Sequence, residues 1–187
     1  MKKALSISLC LILLLGCEDA PGPPRYNPET VRNEADRLEK EGRYDEALER
    51  RIWYHNNILQ YDKSERGVRL SFALGDWVDL AEQFPPAMEA LTTVRDEAAR
   101  RALKGRRWRQ PNKQQLQDAR DVISIDKSLG RPTDSLPFLT KLYKASPEKT
   151  VELWNYALRK VQISAAFGQN RDAIEAFEEW AEERGIQ

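Results

Sequence analysis

Residues 35–48 read ADRLEKEGRYDEAL, and this stretch decides the fold. Ala35 and Leu38 lie three residues apart, and Tyr44, Ala47 and Leu48 repeat helical spacing after an interval. Gly42 stands between the two patterns, at the kind of position where a helix ends in a left-handed residue. Small side chains at 35 and 47 let two antiparallel helices approach closely, while Tyr44 and Leu48 fill the wedge between them. The stretch therefore predicts a tight helical hairpin.

Working outward, the same signals recur. Asn27-Pro28-Glu29 opens the first helix, with Asn as cap, Pro at the first helical position and Glu at the positive end of the dipole. Ser146-Pro147-Glu148 repeats that start, and Asn112 with Gln115 forms a capping-box pattern. Asp76 and Asn170 are further expected caps, and Gly42, Gly75, Gly130, Gly168 and Gly185 are expected helix ends. Apolar residues recur at helical spacing between these marks, as at Leu91, Val94, Ala98 and Ala102. The pattern predicts helices over 28–41, 44–61, 64–74, 76–84, 87–104, 113–129, 133–145, 147–167 and 171–184, and no strand pair.

The motif Ala35-x-x-Leu38-x-x-x-Gly42-x-Tyr44-x-x-Ala47-Leu48 resembles the turn of a tetratricopeptide repeat. Gly75-x-Trp77 falls 33 residues after Gly42, near that family's 34-residue period. Gly168-x-Asn170-x-x-Ala173-Ile174-x-x-Phe177 and Gly130-x-Pro132 are fainter copies. The agreement is good over 31–61 and degenerate elsewhere. The resemblance implies an all-α fold: antiparallel helical hairpins forming one small superhelical domain over 28–187.

The first 27 residues follow a different logic. Lys2 and Lys3 precede Ala4–Leu15, an uncharged, mostly apolar run of 12 residues. Spanning a bilayer takes about 20 apolar residues, so this run is too short, and it matches the apolar region of a signal peptide. Leu14-Leu15-Gly16-Cys17 resembles the lipobox of bacterial lipoproteins, with Leu15 where a small residue is more usual. The resemblance implies that residues 1–16 are a signal peptide cleaved after Gly16. It also implies a diacylglycerol on the Cys17 sulfur and an acyl chain, such as palmitate, on its new amine. Glu18 in place of Asp then favours the outer membrane, facing the periplasm. Residues 17–27 form a tether, since Pro21, Gly22, Pro23 and Pro24 exclude helix. At about 3.1 Å per residue the tether reaches on the order of 30 Å.

Composition narrows the chemistry. The chain has 30 basic and 30 acidic residues, so no global charge draws it to nucleic acid. Cys10 leaves with the leader and Cys17 is consumed by lipid, so the domain has neither disulfide nor thiol chemistry. His55 is the single histidine, which leaves a zinc site or a His-based triad without partners. Lying on the Leu48/Ile52/Leu59 stripe, it is expected to be a hydrogen-bonded, partly buried residue. No phosphate-cradling glycine loop or nucleophile elbow is found. We expect no catalytic residues, no metal and no cofactor beyond the covalent lipid.

Two charge blocks stand out. Arg95–Lys113 holds eight basic and two acidic residues around Trp108, and Asp172–Arg184 is strongly acidic. They are read as solvated faces, as partners for each other, or, for the basic block, as a contact for anionic headgroups. Trp53, Trp77, Trp154 and Trp180 are expected in the core. The expected function is a membrane-anchored, non-catalytic protein–protein interaction scaffold of the cell envelope. Its binding residues would be Arg32, Asp36, Glu39 and Lys40 on the first hairpin and Arg106, Arg107, Trp108 and Arg109 in the basic block. The alternatives are a toxin-neutralising lipoprotein or an envelope-glycan binding or processing protein.

Overall fold

The computed structural model describes residues 27–104 and 110–186. Cys17, the leader and the tether up to Tyr26 lie outside the described residues, as do Arg106, Arg107, Trp108 and Arg109. The described chain is all-helical. Its helices are α1 (Pro28–Lys40), α2 (Tyr44–Tyr61), α3 (Arg66–Arg69), α4 (Phe72–Gln83), α5 (Pro85–Leu103), α6 (Lys113–Ser128), α7 (Ser135–Ala145), α8 (Pro147–Ala166) and α9 (Asp172–Glu182). Among the described residues no helix is long and apolar enough to cross a membrane.

The first hairpin follows its sequence signals. Asn27 Oδ1 accepts from the Glu29 amide at 3.0 Å, and Pro28 occupies the first turn. Gly42 adopts φ +73°, which lets the Gly42 and Arg43 amides close the end of α1 on the Glu39 and Leu38 carbonyls. Val31, Ala35 and Leu38 form the buried face of α1, and Ala47 packs against it from α2. Further along, the Asn112/Gln115 capping box is formed in both directions.

Helix α6 is the central strut, packed against α4, α5, α7 and α8. Its Val122 and Ile123 join one core with Phe138, Leu139, Leu153, Trp154, Phe177 and Trp180. Its Ile125 joins another with Leu38, Leu74, Trp77, Leu80 and Leu91. Asp118, Asp121 and Asp126 are also buried on α6, and each meets an arginine from another helix. Burying three carboxylates is tolerable only when each is paired and hydrogen-bonded. Asp126 accepts from Arg95 Nε at 2.8 Å and Nη2 at 2.9 Å, and from Ser135 Oγ at 2.8 Å. Asp118 accepts from Arg101 Nε at 3.0 Å. Arg95 and Arg101 of the basic block thus turn to α6, not to the acidic last helix.

Several local expectations are corrected. The break expected at Gly75 falls at Leu70–Ser71, so Gly75 and Asp76 lie inside α4, and Asp76 caps nothing. Two long-range contacts hold the chain at the observed break. Arg69 is clamped by Asp121, and Lys160 Nζ donates to the Leu70 carbonyl at 3.0 Å. Asn170 is not a cap: it adopts φ +56°, and α9 starts at Asp172. Trp77, Trp154 and Trp180 are buried, whereas Trp53 is only partly buried and packs beside Tyr61.

Candidate functional site

Helices α1 and α4 each pack on α2, and residues of both line a groove of about 720 Å³. Asp36, Glu39 and Lys40 line it from α1, at positions i, i+3 and i+4 of one helical face. Asp76, Asp79 and Gln83 line it from α4, at i, i+3 and i+7. Arg51 rises from α2 to form the floor. Its buried guanidinium donates to Asp36 Oδ1 at 3.1 Å and to Glu39, and lies 3.7 Å from Asp76 Oδ2. Four carboxylates thus face two cations, leaving the groove net negative. Burial pushes the Asp76 carboxyl above its ordinary range; the Arg51 charge opposes this and Asp36 adds to it. A cationic group entering the groove would meet this excess of carboxylates.

Of the four residues expected on the first hairpin, Asp36, Glu39 and Lys40 meet in this groove. Arg32 does not: it lines a separate, narrower crevice with Val31, Tyr54 and Trp77. Sequence reasoning missed Asp76 and Asp79 because it read Asp76 as the cap at the start of a helix and not as part of a face running through one. Their spacing, opposite Trp77, Leu80 and Ala81, would have revealed them on a helix running through Gly75.

His55 sits below, sealed at 3% exposure. Arg69 Nη2 donates to its Nε2 at 3.0 Å, and arginine has no acceptor, so Nε2 carries the lone pair and Nδ1 the proton. Asp121 receives both Arg69 Nη1 and Nη2 at 2.7 Å, and its Oδ2 lies 3.7 Å from His55 Nε2. The edge of His55 packs on Trp77, with ring centroids 6.0 Å apart. Burial opposes the ionisation of Asp121, but the hydrogen bonds and charge of Arg69 outweigh it and hold the carboxyl below its ordinary range. Burial also holds the His55 imidazole below its ordinary value; Asp121 works against this and the Arg69 charge works with it.

A neutral buried His55 makes stability depend on pH. Unfolding releases an imidazole that takes up a proton below about pH 6.5. The contribution is therefore complete above that pH and is lost as pH falls towards the lower folded-state value, at up to about 1.4 kcal/mol per pH unit. Urea unfolding between pH 7 and 5 should show that loss. It should be shallower in His55→Gln, whose amide oxygen can still accept from Arg69. Equal slopes would show that the imidazole is not held neutral.

A second concavity lies between α2, α5 and α6, lined by Asn56, Gln60, Arg101, Gln114 and Asp118 among others. Burial raises the Asp118 carboxyl and Arg101 opposes the shift. Its Oδ1 is occupied by Arg101 and by Gln114 at 3.2 Å. The buried carboxylates on this side are engaged by the chain's own arginines. Among the described residues, no group of three His, Cys, Asp or Glu is placed to hold a metal ion. Comparison with protein-family models, curated proteins and solved structures gave no match.

Proposed function

We propose that the chain is a lipid-anchored, non-catalytic scaffold of the cell envelope, whose α1–α4 groove holds a basic segment of a protein partner. In this reading Cys17 carries the anchor, on the membrane facing the periplasm, and the tether sets the domain off the headgroups. The helices are degenerate tetratricopeptide-like hairpins forming a small superhelical domain. Their first helices, α1 and α4, present the binding face. The observation that carries the proposal is the net-negative groove over a buried arginine. Such a surface selects Lys- or Arg-bearing segments and accelerates their arrival by electrostatic steering.

The test is photo-crosslinking in the native envelope from Lys40, on the groove rim. A discrete protein adduct is expected, reduced about fivefold or more by Asp79→Lys, which places a like charge against a cationic partner. Asp79 is exposed, so this replacement leaves the core untouched. Absence of any adduct, or an adduct indifferent to Asp79→Lys, would remove the groove as the binding face. The anchor is read separately: Cys17→Ala should abolish incorporation of labelled palmitate.

A further inference from the structure

Three large apolar side chains are strongly exposed: Phe72 at 72% at the start of α4, and Ile163 at 60% and Phe167 at 82% at the C-terminal end of α8. Helix α8 buries Leu153, Ala157, Val161 and Ser164. Tyr156, Lys160, Ile163 and Phe167, at i, i+4, i+7 and i+11, run together along its flank. Lys160 fixes how this stripe meets α4. Its Nζ donates to the Leu70 carbonyl at 3.0 Å while lying 5.5 Å from the centre of the Tyr156 ring. Phe72 follows two residues after that carbonyl, so the exposed start of α4 adjoins the stripe.

The surroundings are cationic. Residues 153–171 contain Arg159, Lys160 and Arg171 and no Asp or Glu. Residues 66–75 contain Arg66 and Arg69 and again no acid, with Arg69 committed to Asp121. Arg120 adds a guanidinium 5.7 Å from the Tyr156 ring, and Lys127 lies close enough to act on the Lys160 charge. Single exposed apolar residues are ordinary, but aromatic and aliphatic groups gathered inside a rim of one charge sign mark an interaction surface.

We propose that Phe72, Ile163 and Phe167, with the cations around them, form a docking surface for an anionic lipid bilayer. The apolar side chains enter the boundary between headgroups and acyl chains, and Arg159 and Arg171 meet lipid phosphates. A second copy is a poorer occupant, since a two-fold contact would set the same cations against each other. This surface is separate from the acidic groove and does not require it. An acyl anchor would merely keep it within reach of the membrane.

The experiment uses the full chain with Cys10→Ser and Cys17→Ser and one introduced cysteine bearing an environment-sensitive fluorophore. The label goes at Ala166→Cys beside the patch or, as control, at Glu49→Cys, exposed on α2. Vesicles of phosphatidylcholine, with or without phosphatidylglycerol, carry a quencher in their acyl region. Because the readout is depth at one residue, a leader left on the chain cannot imitate it. The 166 label should shift to the blue and be quenched on anionic vesicles, while the 49 label is not. The quenching should fall about fivefold or more in Arg159→Glu/Arg171→Glu, and likewise in Ile163→Ser/Phe167→Ser. Quenching at 166 no greater than at 49, or equal on neutral vesicles, overturns the proposal. So does a vesicle-independent shift that grows with protein concentration, which would identify a second copy as the occupant. Crosslinking from Lys40 is unaffected by any of these outcomes, so this surface and the groove fail or stand separately.

Discussion

Replacing Arg69 by Met is expected to destabilise the fold by about 3–5 kcal/mol, the usual cost of breaking a buried ion pair by removing one partner. Arg69 is 4% exposed and spans three elements. From α3 it donates twice to Asp121 on α6, and it also donates to the His55 carbonyl and to His55 Nε2 on α2. Met can fill much of the volume but leaves Asp121 charged and buried without its counter-ion. The decisive comparison is the double replacement Arg69→Met/Asp121→Leu, which removes both charges and should recover most of the loss. For a domain of this size the single variant should melt roughly 10 °C lower. Urea unfolding followed by circular dichroism measures both. A loss below about 1 kcal/mol in the single variant would mean that Asp121 finds water or another partner, and that the network does not hold α6.

Trp77→Ala should cost a comparable amount, about 3–5 kcal/mol, for a different reason. Trp77 is 1% exposed and occupies the core shared by Leu38, Leu74, Leu80, Leu91 and Ile125. Its removal opens a cavity among side chains from four other segments, which cannot all collapse into it. It also takes away the Nε1 donor that serves the Ala87 carbonyl at 3.0 Å in the first turn of α5. Trp77→Phe keeps most of the packing and loses that hydrogen bond, so it should cost about 1–2 kcal/mol. If the two replacements proved equal, the hydrogen bond and not the volume would be the main contribution of Trp77.

Where neighbours along the chain set the outcome, the helices were legible. Asn27, Gly42 and the Asn112/Gln115 pair act within a turn of their own position, and each behaves as its residue type dictates. The segment 64–84 was misread because its break answers to distant residues. Asp121 lies 52 positions from Arg69, and Lys160 lies 90 positions from Leu70. No local pattern reports such partners. The groove was half legible for the same reason: Asp36, Glu39 and Lys40 belong to the well-marked hairpin, while Asp76 and Asp79 belong to the misread segment.

Periodicity and capping were enough for an all-helical chain with a tight first hairpin, because backbone hydrogen bonding and side-chain spacing within a helix are local. They could not rank its charges. Asp118, Asp121 and Asp126 on α6 look, as letters, like the Glu178, Glu179 and Glu182 of α9. The first three are buried against arginines from α3 and α5, and those three glutamates are exposed. Whether a carboxylate is desolvated depends on which cation the packed fold brings to it, and that is settled by contacts tens of residues apart.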